Sequence, residues 1–267
     1  DSITLEVFED IPPLSAQSFL KNYKNGWISP HSKRNLFDCE TVALGEIAEC
    51  RTGIYTGDNS RFCAYAQDNP PKRINGHPII WSDQVREDSL NSDEKTNGIE
   101  GGKTYVPFIR GGHRLPYEET QSALDWSQQA VEFYRYNKKS RLQNADFYFQ
   151  HGLAVPMVTS GKISASLFSG AVFDQGVVGI FPEQQEMLGF MLVYLNSEQA
   201  TEAKMSINPS ANNSANYLKR ILMPMPDARH LKMADIICEN WRNDQNMTSE
   251  KCRRIATEFI RKQFATT

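Results

Sequence analysis

Ile163-Ser164-Ala165-Ser166-Leu167, Ala171-Val172-Phe173-Asp174-Gln175-Gly176-Val177-Val178-Gly179-Ile180-Phe181, Ile207-Asn208-Pro209-Ser210-Ala211-Asn212-Asn213-Ser214 and Ile221-Leu222-Met223-Pro224 follow one another in a single stretch. The order reads strand, turn, strand, helix pair, polar loop, closing strand. Ile163, Ala165 and Leu167 alternate with Ser164 and Ser166, the period of a half-buried strand. Asp174-Gln175-Gly176 splits two short apolar runs and supplies a turn with its glycine. Pro182 and Glu183 open a helical run. Met187, Leu188, Met191, Val193, Tyr194 and Leu195 give it a broad apolar face, so burial on most sides is expected. Asn196-Ser197 before Glu198-Gln199 reads as a stop followed by a fresh N-cap. Residues 207–214 are too polar and too rich in turn formers to be core.

Outward from that stretch, composition sets the limits. The chain has 267 residues, enough for one large domain or two small ones. Lys plus Arg number 29 against 32 Asp plus Glu, so the net charge of −3 does not advertise nucleic-acid binding. A local basic surface is still compatible with that total. No stretch of about 18 apolar residues spans a membrane, and no signal peptide is evident. The chain starts on Asp1 rather than Met and reads as a piece of a longer one. The five cysteines, Cys39, Cys50, Cys63, Cys238 and Cys252, are odd in number and form no CxxC. That argues against a disulfide framework or zinc site and for a reducing cytoplasm.

Residues 1–14 read as a linker or edge strand, and Ser15 as the cap of a short helix ending at Gly26. Arg51-Thr52-Gly53-Ile54-Tyr55-Thr56-Gly57-Asp58-Asn59-Ser60-Arg61-Phe62 carries two glycines four apart and a tight loop. It reads either as a hairpin turn or as a backbone able to approach a phosphate or base edge. Asp68-Asn69-Pro70-Pro71 imitates an adenine-methyltransferase motif. Lys72 and Arg73 stand where the stacking aromatic belongs, so a surface turn is expected there and no catalysis. No glycine-rich strand–loop–helix entry for S-adenosylmethionine is evident. Residues 82–102 read as a long surface loop.

Tyr105–Ile109 reads as a strand running into Arg110-Gly111-Gly112-His113-Arg114, either a solvated turn or a cationic finger for phosphates or a guanine edge. Residues 118–139 read as partly helical, with Ala123, Leu124, Trp126, Ala130, Val131 and Tyr134 on the buried side. Phe133-Tyr134-Arg135-Tyr136-Asn137-Lys138-Lys139-Ser140-Arg141 interleaves four cations with aromatics and holds no acid. It is either a solvated helix end or a phosphate-contacting surface. After Pro226, residues 228–242 and a second run from Thr248 or Ser249 form two amphipathic helices, expected to pack as a hairpin.

The order FDQG (173–176), LNS (195–197), INPSANN (207–213) and ILMPMP (221–226), with TGDN-x-RF at 56–62, RGGHR at 110–114 and YFQHG at 148–152, resembles one family. It is the TaqI-like C-terminal specificity domain of DNA adenine methyltransferases, found in fused restriction–modification enzymes and BREX-type phage-defence methyltransferases. The resemblance covers roughly residues 42–226. It implies an α+β fold: a mixed, mostly antiparallel, twisted β-sheet with peripheral helices and a C-terminal helical hairpin. The expected division is a linker and short helix over 1–41, a target recognition domain over 42–226 and a helical hairpin over 227–267.

It also implies double-stranded DNA as partner, together with a catalytic methyltransferase domain of the same parent chain and no membrane. S-adenosylmethionine would be used by the parent and not bound by this piece, which would not methylate alone. Arg110, Arg114, Arg135, Lys138, Lys139 and Arg141 are expected to neutralise phosphates. Thr52, Thr56, Asp58, Asn59, Arg61, His113, Thr159, Lys162, Ser164, Asn208, Ser210, Asn212 and Asn213 are expected at the DNA from their loops. Two other classes stay open: a complete but divergent enzyme, and a protein-interaction module built on the C-terminal helices.

Overall fold

Val177–Pro182 is buried at every position, the mark of a strand covered on both faces, and such strands read as continuous apolar runs. The computed structural model describes residues 36–66, 76–86, 88–111, 115–159 and 161–264. The readings for residues 1–35, for Asp68–Pro71 and for His113 and Arg114 fall outside the described residues.

In chain order the elements are β1 (Thr41–Ala43), β2 (Ala48–Thr52), α1 (Asn59–Phe62), β3 (Cys63–Ala66), β4 (Ile79–Ile80), α2 (Ser92–Asn97), β5 (Tyr105–Ile109), β6 (Ser122–Asp125), α3 (Gln128–Tyr136), β7 (Gly152–Pro156), β8 (Ser166–Phe168), β9 (Val172–Phe173), β10 (Val177–Pro182), α4 (Leu188–Leu195), α5 (Glu198–Ile207), α6 (Ala215–Leu218), β11 (Leu222–Pro224), α7 (Ala228–Asn243) and α8 (Ser249–Phe264). One sheet has the order β2-β10-β7-β8 and is antiparallel throughout. A second has the order β4-β3-β6-β5-β9, with parallel pairs at β3–β4 and β5–β9. β1 and β11 form a separate antiparallel ribbon. The α+β class and the mixed, mostly antiparallel strand pairing match the expectation from sequence.

The first sheet is the middle layer. Cys50, Leu153, Val155, Val178 and Ile180 face a helical core built by α4, α5, α7 and α8. Ala154, Phe168, Val177 and Phe181 face the other way, into an aromatic core with Phe62, Trp126, Tyr134, Tyr148 and Phe173. Phe168, Phe173 and Phe181 stack within 6 Å of one another, and Tyr148 meets Phe173 edge-on at 5.3 Å. The C-terminal hairpin buries Ala234, Cys238 and Trp241 from α7 and Cys252, Ala256, Phe259 and Ile260 from α8 in the same core as α4. At about 25 cal/mol per Å² of apolar surface, these side chains dominate the favourable side of folding.

Four local readings change. Pro182, read as opening a helix, ends β10, and α4 begins only at Leu188. Ser122–Asp125, read as helix, is a buried strand paired on both sides, to β3 and β5. Tertiary pairing overrides the weak helical preference, and the helix starts only where the Ser127 hydroxyl caps Ala130 N–H at 3.3 Å. Ile163–Ala165 is buried but not strand, because helix side chains satisfy its backbone in place of a neighbouring strand. Asn196 bridges both Ala165 N–H and Ala165 C=O, and Arg253 donates to Ile163 C=O. Residues 82–102 are not all loop. Asn91 and Glu94 form a capping box that starts α2, and Arg86 pairs with Glu94 at 2.6 Å.

Candidate nucleic-acid interface

The strand registers aim several loops in one direction. Thr52, at the end of β2, pairs with Val178, and Pro156, at the end of β7, pairs with Val177. Ile109, at the end of β5, runs beside Phe173, at the end of β9. The turn Asp174-Gln175-Gly176 sits between these ends. Asp174 N–H donates to Ile109 C=O at 2.8 Å, Gln175 N–H to Ile54 C=O at 2.9 Å, and Met157 N–H to Gly176 C=O at 2.8 Å.

From that junction the rim extends both ways. Tyr55 and Arg141 exchange backbone hydrogen bonds at 3.1 and 2.8 Å, and the Arg141 guanidinium lies 5.7 Å from the Tyr55 ring centre. On the other side Thr159 N–H donates to Ala211 C=O at 3.1 Å, and Asn213 N–H to Met157 C=O at 2.7 Å. Loops 53–59, 109–111, 137–141, 157–159, 174–176 and 211–213 therefore form one contiguous rim. Tyr55 is 37% exposed, while Tyr136 and Val158 are each 72% exposed.

The cations divide into free and committed. Lys138, Lys139 and Arg141 are exposed, and among the described residues none of the three has an ion pair. Arg110 is half-buried, with one guanidinium nitrogen 3.5 Å from His77 Nε2. His77 Nδ1 lies 3.0 Å from Asn59 C=O, which requires a proton on Nδ1 and leaves Nε2 free to accept. His77 thus orients Arg110, a role with no sequence signal, because the two are far apart in the chain. Burial raises the Asp174 carboxyl above its ordinary value, against Gly176 N–H and the Arg110 charge, which lower it. Arg135 is pinned away from the rim, donating to Thr96 C=O at 2.7 Å. Lys162 pairs with Glu198 at 3.2 Å on the α5 side.

Several expected base readers spend side-chain groups on local structure, Asp58 and Arg61 at the surface and Thr56 and Asn213 inside. Thr56 is fully buried and donates to Asn59 Oδ1 at 2.5 Å. Asp58 caps α1 through Arg61 N–H at 3.1 Å and accepts from Ser60 at 2.7 Å, and these bonds lower its pKa. Arg61 lies over the Phe62 and Phe133 rings at 4.6 and 5.1 Å. Asn213 is fully buried and donates to Pro156 C=O at 3.0 Å and to Thr159 Oγ1 at 3.1 Å. Asn208 donates to Asn212 C=O at 3.1 Å. Ser164 is buried. Short polar side chains in turns bond their own backbone before they bond anything else. Thr52 stays on the rim, its C=O held by Asn144 at 2.9 Å, and Ser210 and Asn212 are exposed at its far end. Under this loop the buried Lys204 ammonium donates to Ser210 C=O, and desolvation lowers its pKa.

Among the described residues no helix is long and apolar enough to cross a membrane, and no cluster of metal-ligating side chains occurs. A cleft of about 400 Å³ beside Tyr117, Leu188 and Gly189 is lined by Glu186, Asp235, Glu239 and Arg242. Its lining holds one glycine, Gly189, and three carboxylates.

No family model matches the chain. It is 24% identical over 192 residues, 69% of its length, to the adenine-specific methyltransferase PglX of Lacticaseibacillus casei (strain Zhang). The match spans about 15% of that relative. Three solved structures overlap loosely. They are an HsdS subunit from Thermoanaerobacter tengcongensis (TM-score 0.36, 14% identity, 92% of this chain and 50% of that one), the type IIG restriction endonuclease BpuSI (0.43, 11%, 83% and 31%) and a type I R-M system component (0.37, 15%, 92% and 50%). Overlaps this loose decide nothing about the chain.

Proposed function

We propose that this chain is a double-stranded DNA recognition domain of an adenine-N6 methyltransferase or a related restriction–modification or phage-defence enzyme. Its catalytic domain and S-adenosylmethionine site would lie elsewhere in the parent chain, and the parent would work in the cytoplasm. The observation that carries the reading is the convergence of six loops on one rim bearing Arg110, Lys138, Lys139 and Arg141. Strand ends and backbone hydrogen bonds between loops hold those loops in place, and fixed placement is what base readout needs. Cations uncommitted to acids are what phosphate contact needs. The likeness to PglX supports the methyltransferase part of the proposal.

Duplex binding by the 267-residue chain, followed by fluorescence anisotropy across a salt series, tests it. Binding that weakens linearly on a log–log salt plot is expected. Absence of duplex binding at low salt, together with tight S-adenosylmethionine binding by calorimetry, would instead favour a complete enzyme.

A further inference from the structure

We infer that Gln175 reads an adenine in the major groove through its side-chain amide. The inference rests on the DNA reading above and deepens it, naming a base contact absent from the residues expected at the DNA.

Backbone groups of three consecutive residues, Asp174 N–H, Gln175 N–H and Gly176 C=O, are tied to three different loops, through Ile109, Ile54 and Met157. Asp174 Oδ1 also accepts Gly176 N–H at 2.7 Å. Gln175 therefore sits on the rim at a point where several of its loops meet. Its side chain is partly exposed and, among the described residues, makes no hydrogen bond. That separates it from its polar neighbours. Thr56, Asn59, Asn208 and Asn213 all spend side-chain groups inside the protein. An uncommitted primary amide on a rigid support can donate and accept at once, the pattern that matches adenine N7 and N6 in the major groove. Arg110 and Arg141 on the adjoining loops supply positive charge on either side, suited to the flanking phosphates.

The test is selection from a randomised duplex library with the full-length protein, comparing wild type with Gln175→Ala and the isosteric Gln175→Glu. The turn is held by backbone groups, so neither change removes one of its hydrogen bonds, and the isosteric variant keeps the side-chain shape should the truncation misfold. Wild type is expected to enrich a motif containing an adenine that both variants lose. Discrimination at that one position should fall roughly 5- to 150-fold, and Gln175→Glu should turn toward cytosine, whose N4 donates. Affinity for random duplex and its salt slope should stay at the wild-type value in Gln175→Ala. A wild-type motif retained by both variants with undiminished discrimination overturns the assignment while leaving DNA recognition intact. Failure of the wild type to bind any duplex overturns the DNA reading, and the Gln175 assignment with it.

Discussion

Gly57 and Lys139 meet backbone to backbone: a Cβ added to Gly57 would stand 2.6 Å from the Lys139 carbonyl oxygen. Gly57 also has φ +76°, the left-handed region. The glycine of the TGDN segment thus lets two loops of the rim touch. Gly57→Ala meets both a conformational penalty and a clash with backbone, and we expect it to lose roughly 1–3 kcal/mol of stability. Urea unfolding measures this, and an unchanged midpoint would show that the two loops part without cost.

Lys138 and Lys139 lie exposed on the rim, with no acidic partner among the described residues. Replacing both by Ala should weaken binding to every duplex alike and reduce the log–log salt slope by about one for each phosphate left unneutralised. Anisotropy at several salt concentrations gives the slope, and a slope equal to that of the wild type removes this pair from the interface.

Thr56 donates to the Asn59 side-chain oxygen Oδ1 inside the loop. Thr56→Val keeps the shape and leaves that acceptor with only the Cys63 thiol at 3.5 Å. Stability should fall by about 1–2 kcal/mol, with the recognised sequence unchanged. A changed sequence preference at unaltered stability would return Thr56 to the role of a base reader.

Burial raises the Asp174 carboxyl, so the folded chain holds this proton more tightly than the unfolded one. Below the unfolded pKa both states are protonated and the group contributes nothing. Above it, ionisation costs the folded state more, and stability is lost as pH rises toward the folded pKa. Asn keeps the oxygen that accepts Gly176 N–H but cannot ionise. Asp174→Asn should therefore gain on the wild type as pH rises above the ordinary Asp value of about 4. Denaturant melts across that range report it, and a gap independent of pH would mean that Asp174 is solvated.

The sequence revealed the fold best where the local signal and the tertiary context agree. The α4–α5 pair, the turn at 174–176 and the C-terminal hairpin were all legible from apolar period, turn residues and caps. Ser122–Asp125 was not, because its strand character comes from pairing with β3 and β5 and not from its own residues. At the site, the loops themselves were legible and many of the roles within them were not. Ser, Thr and Asn mark an exposed polar loop, yet here Thr56, Asn59 and Asn213 are consumed by it. Whether such a group points outward depends on which backbone partner lies beside it, and Pro156 beside Asn213 is distant in sequence. His77 behind Arg110 was invisible for the same reason. Gln175 lay in full view as a turn residue, but only the three loops tied to its turn single it out.

Hydrogen–deuterium exchange of the chain with and without a short duplex tests most directly whether one rim meets DNA. Protection confined to 53–59, 137–141, 157–159 and 174–176 at low salt, and absent at high salt, is the expected result. Protection on the solvent faces of α7 and α8, with the rim unchanged, would contradict it and move the interface to the helical side.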